Sequence, residues 1–335
     1  MVCVEEKLLV NILYRAESEV LKDIDISHLN FEKLIKIASA HLMLPALFFN
    51  IHKKNLTCLF PEDFVDYTKN IYSINKARNE VLISEAKELS QLLHKNNINH
   101  IFLKGSALIL SNVFEDIGER MIGDIDFIVQ DKDKEKIKNL LYNKNYYGLF
   151  PDILFTFFKP RHFPRIVQKN KTIAIEPHTE LLSPGYRCVI NSKELINDFK
   201  DEAKSIKTPS KSFLFDHCIY NLQINDRGLY NSNYSHRSIY DIFKINCKNR
   251  LDIKNIKKDI YTKHYFLTIN KFEIFDINIT STLLNSYFDK LIMVGRNILR
   301  KIYIRSIQIV ELFVNYNYRK YALNKIINFS NKKTS

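Results

Sequence analysis

The sequence predicts an α+β fold: a small, mixed, twisted sheet held between two helical regions. Three observations carry that expectation. Apolar residues recur at helical spacing through residues 5–97 and again from about Ser192. Short β-like runs are confined to the stretch between His100 and Glu176. Seven Gly and eight Pro in 335 residues fall below ordinary usage of roughly 7% and 5%. That scarcity excludes collagen-like, linker-dominated and turn-rich all-β designs, while a hydrophobic share of 46% is enough to bury a real core.

Each element follows from its local pattern. Leu8, Leu9, Ile12, Leu13 and Ala16 form one apolar stripe, and Phe31, Leu34, Ile35 and Ala38 a second. Residues 42–51 continue after a short break. Pro61 opens a long helix, since its missing N–H is harmless at a helix start. The expected stripe there is Val65, Ile71, Ile74, Val81, Ala86, Leu89 and Leu93, with a stop at Asn96-Asn97.

The texture then changes. His100–Leu103 reads as a strand that turns at Lys104-Gly105-Ser106 into a helix over residues 107–113. A loop with Gly118 and Gly123 leads to a second strand, Asp124–Val129. Asp131-Lys132-Asp133 caps an amphipathic helix containing Ile137, Leu140 and Leu141. Residues 165–168 and 172–176 are two further strand candidates. Helices resume from about Ser192, ending in a long amphipathic stretch from Ser281 to Phe329. The expected layout is a helical region over 1–97, an α/β core over 98–205, and a helical region with a basic tail over 206–335.

Fifty Lys and Arg against 37 Asp and Glu give a formal charge of +13, which suits an anionic partner such as nucleotide, nucleic acid or lipid. The excess is concentrated: residues 296–335 hold nine basic residues and one acid, Glu311. Five cysteines, an odd number without a Cys-x-x-Cys pair, argue against a disulfide framework and a structural zinc site. The opening Met1-Val2-Cys3-Val4-Glu5-Glu6 has acids where a signal peptide has bases. No uncharged apolar run reaches about 18 residues, the length of a spanning helix. No transmembrane segment and a cytoplasmic location are the expectations.

The chemistry points to the segment Asp124-Ile125-Asp126-Phe127-Ile128-Val129. Strand residues alternate faces, so Asp124 and Asp126 project together while Ile125, Phe127 and Val129 pack on the other side. Two neighbouring carboxylates repel, and a divalent cation relieves that repulsion. Upstream, Lys104-Gly105-Ser106 stands at a helix start, where Gly allows close backbone approach and free N–H groups and a lysine suit a phosphate. Arg120, in Gly118-Glu119-Arg120, is placed to neutralise phosphate oxygens. Downstream, Glu176 and His178 share one strand face, with Glu176 a third carboxylate for metal ligation or general base work. Together these residues outline phosphoryl or nucleotidyl transfer, with Mg²⁺ on the carboxylates and a triphosphate at the glycine turn. His217, Cys218, His236 and Asp241 read as polar residues packed at neighbouring helix ends rather than as a metal cluster. No His-Glu-x-x-His, P-loop or Gly-x-Ser-x-Gly motif is present.

Leu103-Lys104-Gly105-Ser106-Ala107-Leu108, then Gly118-x-Arg120-x-x-Gly123-Asp124-x-Asp126, then Glu176-x-His178 resembles the largely uncharacterised nucleotidyltransferases of the DNA polymerase β superfamily. The likeness extends to His41-x-x-x-Pro45 and to the segments around His217 and Arg237–Asp241. It implies a twisted sheet backed by helices that binds Mg-NTP, ATP included, and transfers a nucleoside monophosphate to a hydroxyl. Asp124, Asp126 and Glu176 would then hold two Mg²⁺ ions, Gly105 and Ser106 would meet the triphosphate, and Lys104 and Arg120 would assist electrostatically. The sequence departs from the pattern in the seventeen residues between Ser106 and Asp124, and in Pro177 and Thr179. A catalytically inactive nucleotide- or RNA-binding module is the alternative.

The acceptor is open: a small molecule, a protein, the chain itself or RNA, with the basic tail favouring RNA, such as tRNA ends. In that tail Arg296, Arg300, Lys301 and Arg305 alternate with Ile298, Leu299, Ile302 and Ile304 near Tyr303, Tyr316, Tyr318 and Tyr321. The pattern fits RNA or anionic lipid, but a terminal helix docked on the body with solvated charges is the favoured expectation.

Overall fold

The structure, a computed structural model, describes residues 2–21, 24–147, 160–192, 195, 206–249, 259–275 and 283–331. Helices α1 (Val4–Tyr14), α2 (Phe31–Ala40) and α3 (Leu44–Lys53) follow the first apolar stripes. Asn30 caps α2 by accepting from the Lys33 N–H at 2.9 Å. The long helix α4 (Glu62–Lys95) runs 34 residues, and Pro61 stands at its N-cap. Strand β1 (His100–Phe102) leads into α5 (Lys104–Leu110), which begins three residues before the expected helix, so Lys104 and Gly105 already lie in its first turn.

Strand β2 (Asp124–Val129) precedes a 3₁₀ turn over Asp131–Asp133 and helix α6 (Lys134–Asn143). Asp133 occupies the N-cap of α6 but makes no capping bond. The short β3 (Tyr146–Tyr147) pairs antiparallel with β4 (Val167–Gln168). Strand β5 (Ala174–His178) extends past the expected end at Glu176, through Pro177 to His178. Beyond it come α7 (Lys211–Tyr220), α8 (Gly228–Asn231), α9 (His236–Asn249), α10 (Ile260–Ile269), α11 (Leu283–Val314) and α12 (Tyr316–Asn331). The expected C-terminal stretch is thus two helices broken at Asn315, and its first residues, 281 and 282, lie outside those described.

The fold is α+β. A three-stranded mixed sheet has the order β1-β2-β5, with β1–β2 antiparallel and β2–β5 parallel. Both sheet faces are covered. Phe102, Ile125, Phe127 and Val129 enter a large apolar cluster that runs from Leu8 to Phe272, so all three expected regions contribute to it. Ile101, Leu103 and Ile128 face a smaller cluster with Leu181, Tyr186, Tyr220 and Ile224.

In the middle of α4 the structure departs from the expected stripe. Ile74 and Val81 are 58% and 42% exposed, while Thr68, Asn75 and Asn79 are buried. The reason is polar satisfaction. Asn75 donates to the carbonyls of Gly118 and Arg120, and Asn79 to those of Ile117 and Arg120. A loop packed on a helix carries backbone carbonyls that need partners, and here asparagines supply them.

Candidate functional site

The parallel register between β2 and β5 builds the site. Asp126 is the ladder neighbour of Glu176, and Ile128 that of His178. Asp126, Glu176 and His178 therefore project to one face, and one ligand atom of each lies within 4.8 Å of the others. The His178 Nε2 stands 2.9 Å from Asp126 Oδ1 and 3.1 Å from Glu176 Oε2. Asp126 and His178 are 4% and 1% exposed.

The first turn of α5 closes over this cluster. The Leu103 N–H donates to the Asp126 carbonyl at 2.9 Å, bringing the chain directly onto β2. Lys104 then takes a left-handed backbone, φ 48°, and its Nζ reaches Asp126 Oδ1 at 2.5 Å and Glu176 Oε2 at 3.2 Å. The Ser106 hydroxyl donates to the Asp124 carbonyl and accepts the Asp126 N–H, both at 3.1 Å. A Cβ on Gly105 would stand 3.2 Å from Ile122, so a bare backbone allows the close approach.

Electrostatics follow from burial and neighbours. Burial raises the Glu176 carboxyl, but the His178 hydrogen bond and the charge of Lys104 outweigh it and hold the group below the ordinary range. Burial and the adjacent Asp126 charge push Asp124 up, with Arg165 opposing. Burial presses His162 down to about 4, aided by His178. It presses His217 to about 3, aided by the positive charge of Lys104 and by His178 and Arg161.

The expected site residues are placed as follows. Asp126, Glu176 and Lys104 converge. Asp124 lies on the same strand face, but its carboxylate pairs with Arg165 Nε at 3.2 Å. It is not part of the metal-capable group, whose third member is His178. Ser106 is wholly buried, and its hydroxyl is engaged by β2, so it positions the acidic strand. Arg120 differs most. It is 7% exposed and forks onto Asp241 at 2.7 and 2.8 Å, with a further bond to the Met121 carbonyl. Its charge is satisfied inside the fold, joining the loop before β2 to α9.

His178, Arg161, Arg165 and Arg237 were not among the expected site residues. The alternation of Glu176 and His178 on one strand carried the signal for His178. Arg161-x-x-x-Arg165 before β5 is a basic pair whose spacing carries the signal for those two arginines. Arg237, on α9, feels the charges of Asp241, Asp226 and Asp124. Asn221–Asn225 extends α7 as a π turn, a distortion enriched at functional sites, and its Asn221 faces Arg161 at 3.5 Å. The residues set aside as a metal cluster go to separate partners: His236 to Glu6, Asp241 to Arg120.

A family model described as an uncharacterised nucleotidyltransferase matches residues 27–262. The chain belongs to that nucleotidyltransferase family. The match runs from before α2 into α10, so the matched span contains the whole sheet, Lys104, the Asp126–Glu176–His178 cluster and the Arg120–Asp241 pair of this chain. Helices α11 and α12 lie beyond it. No curated protein matches the chain.

Proposed function

We propose that this family member transfers a nucleoside monophosphate from a nucleoside triphosphate, ATP among them, to a hydroxyl-bearing acceptor. The observation that carries the reading is the pairing of Asp126 with Glu176 across the parallel β2–β5 ladder, beneath Lys104. In the reaction the acceptor oxygen bonds to the α-phosphorus, the α–β anhydride bond breaks, pyrophosphate leaves, and the hydroxyl proton passes to a neighbouring carboxylate or water.

The donor set fits a divalent cation: two carboxylates, with the Nε2 of the His178 imidazole facing both. Asp126 and Glu176 would hold it with His178, and Asp124 stands beside them on β2. Mg²⁺, as one or two ions, is the expected metal; the imidazole also admits Mn²⁺. When bound, the metal stabilises charge on the reacting phosphoryl oxygens. The chain's own part is to hold the carboxylates in place, through the Ser106 bonds to the β2 backbone and the Lys104 ammonium. Arg165, half exposed beside Asp124, presents charge to phosphate. On this reading residues 98–205 are the catalytic core, and the cytoplasm, which holds nucleoside triphosphates, is the expected location.

The test is transfer of label from α-labelled ATP into cell extract fractionated into RNA, protein and small molecules. Asp126→Asn is expected to abolish transfer with unchanged circular dichroism. Full transfer by that variant would sink the assignment. A second reading, an inactive nucleotide- or RNA-binding module, is favoured by one observation: Lys104 already compensates Asp126 and Glu176. Calorimetry with Mg-ATP separates them, since a module binds without turnover and is indifferent to Asp124→Ala. An RNA acceptor held by the basic C-terminal helices would show steep salt dependence of RNA retention.

A further inference from the structure

Helix α11 has two apolar sides. Ile304 and Ile307 are half-buried and Glu311 is fully buried, which docks one side on the body. On the other, Leu291, Ile298, Ile302, Ile309 and Phe313 recur at spacings of seven and four residues, a single helical stripe. Each of these five is between 52% and 77% exposed. The expected docked helix with solvated charges therefore describes one side alone. A continuous exposed aliphatic stripe is unfavourable in water and marks a surface that meets something apolar.

Charge selects the partner. Of the residues from 296 onward the one acid, Glu311, is buried, while Lys301, Arg305, Arg319 and Lys320 are exposed. Two copies of so basic a helix would repel. RNA would meet the lysines and arginines, but four of the five stripe residues are Leu or Ile, which offer no ring for a base to stack on; the one ring, Phe313, stands at the end of the stripe, and the exposed Tyr303 lies outside it. Hydrocarbon beneath anionic headgroups satisfies both features at once. No single described helix is long and apolar enough to cross a membrane, so the fitting mode is to lie along the surface.

We propose that α11 seats the protein on an anionic lipid bilayer, its aliphatic stripe entering the acyl boundary and its basic residues meeting the headgroups. The surface lies outside the family match and owes nothing to the catalytic reading.

The experiment is flotation of the full chain with vesicles of phosphatidylcholine alone, or of equal parts phosphatidylcholine and phosphatidylglycerol. Co-flotation with the anionic vesicles, weakened by salt, is expected. The combined variant Ile298→Ser, Ile302→Ser, Phe313→Ser should weaken it by about tenfold or more with unchanged circular dichroism. Lys301→Glu with Arg305→Glu, both exposed, gives a second route to the same loss if the serine variant misfolds. Absence of flotation with either vesicle would overturn the proposal. So would a well-folded serine variant that floats like the parent, poly-uridine that displaces the vesicles, or a dimer in sedimentation that the serine variant dissociates.

Discussion

Lys104 joins a left-handed backbone to a charge enclosed among carboxylates. A left-handed backbone is uncommon outside glycine, and strain of this kind persists where surrounding structure demands it. Here the demand comes from the Leu103 N–H bond to Asp126 and the three groups around Nζ. Because the ammonium sits among the same carboxylates a cation would use, Lys104→Met should raise affinity for Mn²⁺ by about tenfold, as an uncompensated acidic cluster seeks a charge partner. Calorimetric titration of the folded variant with Mn²⁺ reads this directly, and unchanged affinity would show that ion and lysine do not compete. Ser106→Ala should cost about 1–3 kcal/mol, since it leaves the Asp124 carbonyl and Asp126 N–H without their buried partner. Urea denaturation measures that loss.

Between elements, the loop before β2 is the joint that holds α4, α9 and the sheet together. Asp116 and Glu119 form a reciprocal cap. Glu119 also accepts from the Tyr240 hydroxyl at 2.6 Å and pairs with Lys244 at 2.8 Å. A Cβ on Gly118 would lie 2.6 Å from the Tyr72 ring. Gly118→Ala should therefore destabilise by about 1–3 kcal/mol, with partial recovery on adding Tyr72→Leu; thermal melts of both variants check it. The Arg120–Asp241 pair is a stronger test of the joint. Arg120→Met alone leaves a buried carboxylate unpaired and should cost about 3–5 kcal/mol, whereas Arg120→Met with Asp241→Leu should restore much of it. If the double variant is no better than the single one, the pair is not the link described.

Over the whole molecule, buried and half-buried histidines set the response to acid. Burial holds His41 at about 4, His100 at about 4 and His217 at about 3, all below the usual 6.5. The unfolded chain then takes up protons first as pH falls through 6.5, so stability present above that value is lost toward pH 4. Glu6, drawn down to about 2 by the His236 hydrogen bond, adds a loss of the same sign between about 4.5 and 2. The urea midpoint should fall from pH 7 to pH 5, and equal midpoints would contradict the assignment of these histidines as neutral in the folded chain.

Much of this was legible in short-range pattern. The apolar spacing of residues 8–13 and 31–38 announced α1 and α2, and the alternation in Asp124–Val129 and Glu176–His178 announced which side chains share a face. Such patterns are local, because helix and strand periods are properties of a few consecutive residues. By itself, then, the sequence determined an α+β chain with helices on both flanks, an acidic strand and a lysine-glycine turn preceding it. Tertiary structure decided the rest. It set β5 parallel to β2 so that Glu176 meets Asp126. It turned His178 rather than Asp124 into the third member of the cluster, and it gave Arg120 to Asp241, 121 residues away. It also turned Asn75 and Asn79 inward while Ile74 faces water. These outcomes depend on which distant segments pack together and which buried polar groups must then find partners, and no window of neighbouring residues contains that information.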